Sequence, residues 1–428
     1  MARRQVVRLA LVMAGVILCV AGMAAQRIST LATGSLLAVA GTWAVGAGVA
    51  IVGLALVMFL VEHQMYRGLR YFWFHWRTLS RLEKQMLDAG FGIQRGWYVE
   101  LPRVRLFFER GYSAGRLTVR NTLKFDNRLE NVVMSSALGR YVAERHYVTD
   151  DGNEHVYELV DGSASFKLVF GSFGDFLARN ATVGPYRLFL DGRSEVGLQH
   201  CLLVGLTGSG KTYALYCLVL QMLNKPVRYE LSFADPKGSS LAVVGSVVAG
   251  DEGTAVGVSA IVELLEQFVA TMRARKAELK ERLETRIDAD YSDFGMTPHV
   301  FVCDEYASLV AVLASGDKAT RDRVKALLYE VILQGRQLGF FLFLVMQKSD
   351  ATLIDTALRD NMPLKIVLGN SEQQTYVTAF GAGVAIPTRH YVVGEGVFTE
   401  PVLAPEPKLV QFPQLKFDIL QAFKAPVV

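Results

Sequence analysis

Gly205, Leu206, Thr207, Gly208, Ser209, Gly210, Lys211 and Thr212 form an unbroken GLTGSGKT, which satisfies the spacing GxxxxGK[ST]. Glycines let consecutive backbone N–H groups turn inward around phosphate oxygens. The lysine reaches the β and γ oxygens, and the Thr212 hydroxyl completes a Mg²⁺ shell. The apolar run Cys201 to Val204 precedes the loop and the helix-like run Tyr213 to Leu223 follows it. That order suits the chemistry, because the positive end of a helix then faces the anion. The implied ligand is a nucleoside triphosphate with Mg²⁺.

A second cluster of candidates ends another apolar run, where Val300-Phe301-Val302-Cys303 leads into Asp304-Glu305. Two adjacent acids closing a buried strand are costly unless they are used. Asp304 is placed to hold Mg²⁺ through its water shell, and Glu305 to act as general base for a water attacking the γ-phosphate. The plain alternative is that both merely cap the next helix. Gln347 closes the apolar run Phe340 to Met346; it either orients that water and senses the phosphate or is an ordinary strand terminus. Asp235-Pro236-Lys237-Gly238 reads as a turn, whose lysine either reaches phosphate or a neighbouring subunit or serves the turn alone. Arg336 lies on the approach to the Gln347 strand. It is either a guanidinium delivered across a subunit interface, where positive charge helps phosphoryl transfer, or part of a surface salt bridge.

The elements that must position these groups alternate. Gln199 to Val204, Tyr229 to Ala234, Val300 to Cys303, Phe340 to Met346 and Leu364 to Leu368 are compact apolar runs of the kind buried on both faces of a parallel sheet. Helical patterns lie between most of them. The fold class is α/β, doubly wound over residues 187–428, with ligands expected at the carboxyl ends of the strands. Residues 96–186 read as a small α/β adapter with extended runs at Val104 to Phe108, Arg116 to Val119 and His155 to Leu159 and helical spacing from Asn127 to Arg145.

The N-terminus is different in kind. Of 428 residues 51% are hydrophobic, and the excess is concentrated here. Leu9 to Gln26 and Ile28 to Val61 carry no charge, whereas about 20 apolar residues span a bilayer. Two transmembrane helices are expected, spanning about 9–26 and 35–61, as a hairpin within residues 1–62. A cleaved signal peptide would account for the first run but not the second. Arg3, Arg4 and Arg8 precede the pair and Arg67, Arg70, Arg77 and Arg81 follow it, so both ends belong in the cytoplasm. Residues 63–95 interleave arginines with Tyr66, Tyr71, Phe72, Trp73, Phe74 and Trp76, which suits a membrane-interface segment or a buried amphipathic helix. Cys19, Cys201, Cys217 and Cys303 sit in apolar runs without CxxC spacing, which argues against disulfides and zinc. A net charge of +4 permits an anionic partner without requiring one. The basic stretch Arg273 to Arg286 is laced with Glu278, Glu281 and Glu284 and reads as a salt-bridged helix rather than a DNA face.

GLTGSGKT, the DPKGS turn, VFVCDEY, GRQLGFF and LFLVMQKSD occur in an order that resembles the FtsK/SpoIIIE branch of the HerA/FtsK superfamily, the ring-forming DNA pumps. The likeness covers residues 187–405, and Asp290 to Glu305 and Gly335 to Gly369 look most like the coupling-type translocases of integrative and conjugative elements. The resemblance implies a P-loop NTPase fold of the RecA-like ASCE type, with Lys211 and Thr212 holding nucleotide and Mg²⁺, Asp304 holding Mg²⁺ through water and Glu305 as base. It implies Gln347 as sensor, Arg336 as a finger acting on the adjacent subunit, and Lys348 on a pore loop touching DNA. It further implies ATP hydrolysis coupled to DNA translocation by a homo-hexamer embedded in the bacterial inner membrane, with relaxase and conjugation-channel proteins as partners. Nothing after the motor reads as the winged-helix module of chromosome translocases, and those proteins have more spans, so chromosome segregation is the secondary reading. A protein-export motor is another, although such chains usually carry tandem ATPase domains.

Overall fold

The computed structural model describes all residues except 1–2, 33–34, 97, 123–128, 130–137, 349–353, 383, 385, 387–389 and 426–428, and the side chains of 3–4, 30–32 and 35. It divides into two compact units, Met1–Ala164 and Ser165–Val428.

The first unit opens with two helices, Arg3–Ala32 and Ser35–Glu62. Both contain segments long and apolar enough to cross a membrane, Gln5–Ser29 and Leu36–Glu62, with most side chains outward-facing. The pair touches backbone to backbone: a Cβ on Gly22 would stand 2.6 Å from the Gly41 carbonyl oxygen, and one on Gly41 2.6 Å from that of Gly22. Small residues at such a crossing permit the close van der Waals packing that holds helices together where no hydrophobic force does.

A four-stranded antiparallel sheet follows, in the order Val104–Phe108, Ala114–Arg120, Glu154–Asp161, Tyr141–Val148. The helix Leu69–Asp88 packs on it by burying Tyr71, His75, Leu79, Leu82 and Met86. One face of the arginine- and aromatic-rich segment is therefore core, while Tyr66, Leu69 and Trp73 remain exposed. The helical spacing expected through Arg145 is overturned in part. Tyr141 to Arg145 belong to a strand, while most of Asn127 to Leu138 lies outside the described residues. The strand carries a bulge between Ala143 and Arg145, so Tyr141 and Glu144 are both buried. Inward residues three apart imitate a helix period.

The second unit is α/β around an eight-stranded sheet ordered Thr254–Val256, Glu230–Asp235, His299–Cys303, Phe340–Met346, Cys201–Gly205, Leu364–Leu368, Glu395–Glu400, Ala404–Gln411. The first six strands are parallel. The last two add antiparallel at one edge. Every residue of Phe340–Met346 and of Cys201–Gly205 is buried, as strands covered by helices on both faces must be. Val169–Phe170 pairs in parallel with Gln414–Leu415, so the unit begins N-terminal of Arg187.

Candidate nucleotide site

Cys201–Gly205 delivers the chain to the loop at its carboxyl end, and the helix Lys211–Leu223 leaves it. Gly208 and Gly210 have φ of 82° and 97°, the left-handed region that L side chains resist. Gly210 is also pinned by contact, since a Cβ there would lie 2.8 Å from the Gly394 nitrogen. Gly394 donates its N–H to the Ser209 carbonyl at 2.8 Å, and Lys167 Nζ donates to the Val393 carbonyl at 2.9 Å. A segment nearly two hundred residues downstream thus braces the phosphate loop. Sequence reading missed it, because the loop that leads into the strand Glu395–Glu400 has no periodicity to find.

The loop fits a triphosphate. Ser209 Oγ is buried without a partner, an arrangement that is costly unless something fills it. Lys211 Nζ folds back to 3.5 Å from the Leu206 carbonyl. Burial pushes the Lys211 pKa down, while Glu305 and Asp304 oppose that shift. Thr212 follows at the exposed start of the helix. Gly205, Leu206, Thr207, Gly208, Ser209, Gly210, Lys211 and Thr212 would hold the phosphates, with Thr212 and Asp304 directed to Mg²⁺. Bound there, Mg²⁺ would neutralise charge on the phosphate oxygens.

The neighbouring strands bring in the acids. Asp304 is partly buried, and its Oδ1 accepts the Glu305 N–H at 2.9 Å. Burial is the main cause of its raised pKa; Asp235 and Glu305 nearby push the same way, and Lys211 opposes them. Glu305 adopts φ 48°, ψ 51°, the one non-glycine residue at positive φ among the described residues of this unit. Such a conformation is sparsely populated and costs about 1–3 kcal/mol. Although Glu305 stands at the head of the helix Tyr306–Ser315, its side chain makes no capping hydrogen bond. Its Oε2 instead accepts from Gln347 Nε2 at 2.9 Å and lies 3.7 Å from Lys237 Nζ. Capping does not explain this glutamate.

Asp235 explains why Lys237 arrives there. Fully buried at the end of its strand, it accepts from the N–H groups of Lys237 (3.1 Å), Ser239 (2.6 Å) and Ala242 (3.1 Å) and from Ser239 Oγ (2.8 Å). One carboxylate therefore folds the whole DPKGS turn.

Two candidates do not join the cluster. Arg336 is exposed in the last turn of the helix Lys318–Leu338, just before the amino end of Phe340–Met346. Gln347 is at the other end, roughly 20 Å along the strand. Lys348 is exposed and its Nζ is paired with Glu372 Oε2 at 2.7 Å. The Arg273 to Arg286 stretch is salt-bridged, with Arg273 on Glu330 and Arg282 on Glu278.

Residues 168–332 match the model of the FtsK/SpoIIIE family. The FtsK domain-containing protein YdcQ of Bacillus subtilis is 25% identical over 230 residues, covering 52% of this chain and 46% of that protein. A DNA translocase FtsK of Staphylococcus epidermidis is 24% identical over 203 residues, covering 44% of this chain and 24% of that protein. The match thus spans less than half the length of either relative. Among solved structures, the monomer form of the pCW3 conjugation coupling protein TcpA superposes with a TM-score of 0.48 at 14% identity, covering 80% of this chain and 96% of that one. Two ATPase domains of EssC from Geobacillus thermodenitrificans give 0.44 at 14% identity, covering 61% of this chain and 50% of that one. The P-loop at Gly205–Thr212 and the acidic pair Asp304-Glu305 both lie within the residues that match the FtsK/SpoIIIE family model.

Proposed function

We propose that this chain is a membrane-anchored, ATP-driven DNA translocase that feeds DNA into a conjugative channel. The observation that carries the reading is the convergence of Lys211, Asp304, Glu305 and Gln347 from three adjacent strand ends. Lys211 binds and orients the triphosphate. Glu305 takes the proton of the attacking water, and Gln347 holds that carboxylate in place. Arg336, near the opposite, amino end of the Phe340–Met346 strand, serves a neighbouring subunit of a homo-hexameric ring, and Lys348 follows the DNA backbone. The two apolar helices anchor the chain in the bacterial inner membrane with the motor in the cytoplasm. Relaxase and channel proteins are its partners in transfer.

Similarity to an FtsK domain-containing protein and to a DNA translocase supports DNA as the substrate. The test is ATP hydrolysis by the full chain in detergent, with and without DNA. Stimulation by DNA, absent in Lys211→Ala, supports the proposal. Hydrolysis indifferent to DNA contradicts it.

A further inference from the structure

The helix Leu69–Asp88 has three sides. One buries Tyr71, His75, Leu79, Leu82 and Met86 against the four-stranded sheet. The second meets the hairpin. Phe72 and Trp76 stand 5.7 and 5.8 Å from the Phe59 ring, centroid to centroid, and Glu83 Oε2 accepts from Gln5 Nε2 at 3.4 Å. Phe59 and Gln5 belong to the same end of the hairpin, where Arg8 pairs with Glu62 at 3.2 Å. Phe72 and Glu83 are separated by about 16 Å along the helix axis. A helix that touches one end of the hairpin at both points lies across that end, at the level where the two apolar segments stop. The third side is exposed. It carries Arg70, Trp73, Arg77 and Lys84, which share an arc of about 60° at 3.6 residues per turn.

We infer that this third side rests on the cytoplasmic leaflet and binds anionic phospholipid headgroups. The inference rests on the reading of the hairpin as membrane-spanning and adds a lipid class to it. Round the helix from the hairpin side, Leu69 and Trp73 come first, and Lys84, Arg77 and Arg70 follow. Leu69 and Trp73, 63% and 53% exposed, therefore meet the acyl boundary, and the longer cationic side chains reach the headgroup layer. Arg70, Arg77 and Lys84 have no ion-pair partner among the described residues, in contrast to Arg273 and Arg282, which are paired with Glu330 and Glu278. Lipid phosphates supply the missing charge. The helix has two acids, Glu83, turned to Gln5, and Asp88, its last residue, so the exposed stripe is cationic nearly throughout. A net negative headgroup suits it better than a zwitterionic one, which brings its own ammonium. Apolar residues beside the cations at the end of a span favour a lipid surface over a nucleic acid.

The test reconstitutes the full chain in mixed phosphatidylcholine–phosphatidylglycerol vesicles whose acyl chains are brominated on one lipid or on the other, in equal amounts. Bromine quenches tryptophan on contact. Brominated phosphatidylglycerol should quench wild type more than brominated phosphatidylcholine does, and high salt should erase the excess by screening exposed charges. Each cation near an anionic leaflet favours it about fivefold. The triple variant Arg70→Gln, Arg77→Gln, Lys84→Gln should therefore be quenched equally by both lipids, while Arg70→Lys with Arg77→Lys keeps the excess. Ordinary quenching by phosphatidylcholine with no excess in wild type, or an excess unchanged in the triple variant, overturns the inference and leaves the hairpin in the bilayer. Weakened DNA binding in the triple variant with the lipid excess intact assigns the face to nucleic acid and overturns it too. If neither brominated lipid quenches wild type, which carries Trp43 within the second apolar segment, the membrane reading fails and the inference falls with it.

Discussion

Gln347 Nε2 donates to Glu305 Oε2 at 2.9 Å across forty-two residues of sequence. Adjacent parallel strands, His299–Cys303 and Phe340–Met346, end together and present the two side chains to each other. Glu305→Gln should preserve ATP binding and lower turnover roughly 100-fold or more, the usual scale for a lost general base, whereas Lys211→Ala should abolish binding. Gln347→Ala should lower kcat by less than Glu305→Gln does and leave KM near wild type, because it removes the support of the base and no ground-state contact. Equal loss of ATP binding in the Lys211 and Glu305 variants would sink the assignment of Glu305.

The left-handed backbone of Glu305 sets stability against activity. Glu305→Gly relieves the conformation, so thermal unfolding should shift upward by about 1 kcal/mol of added stability, with turnover lost. A variant that is less stable than wild type would show that the side-chain contacts to Gln347 and Lys237 outweigh the strain.

Asp304 predicts a pH dependence. Burial and the adjacent acids raise its folded-state pKa, so the folded chain holds a proton that the unfolded chain releases. Its contribution to stability is therefore greatest below the ordinary carboxylate range and is lost as pH rises through the raised value. Without nucleotide, Asp304→Asn should be more stable than wild type at neutral pH, and the difference should shrink on acidification. Melting curves across that window check the sign; a constant difference contradicts it.

Lys348 is exposed and paired with Glu372, a surface contact worth little to stability. Lys348→Ala should leave basal hydrolysis intact, reduce its stimulation by DNA and lower the slope of log affinity against log salt by about one. Glu372→Ala removes that one carboxylate from the lysine and should raise stimulation. Unchanged stimulation in both variants places the DNA grip elsewhere.

Arg336 faces away from the nucleotide loop of its own subunit, so its role is testable only between subunits. Mixing Arg336→Ala with Glu305→Gln should restore some hydrolysis that neither shows alone, because some interfaces then carry both an intact base and an intact finger. Mixed assemblies no more active than either parent contradict it.

The motor was legible where burial on both faces made strands read as unbroken apolar runs. Phe340–Met346 and Leu364–Leu368 were bounded to the residue, and the P-loop and acidic pair declared themselves by spacing. The edge of the sheet was not legible. Thr254–Val256 is three residues long, and Ala404–Gln411 carries Pro405 and Pro407, which an edge strand tolerates and a sequence pattern reads as a break. Asp235 looked like part of a turn, and only its four hydrogen bonds show it as the group that organises Lys237 beside Glu305. Gly394 was invisible because its function is contact with Ser209, far away in sequence.

The measurement that tests the central claim most directly is movement. The full chain in detergent, given ATP and DNA with a biotin–streptavidin block at one end, should displace the block on single- or double-stranded tracks at a rate that requires hydrolysable ATP. Glu305→Gln should bind the same DNA and displace nothing. Displacement by Glu305→Gln, or ATP hydrolysis by wild type with no displacement on either track, would contradict a translocase.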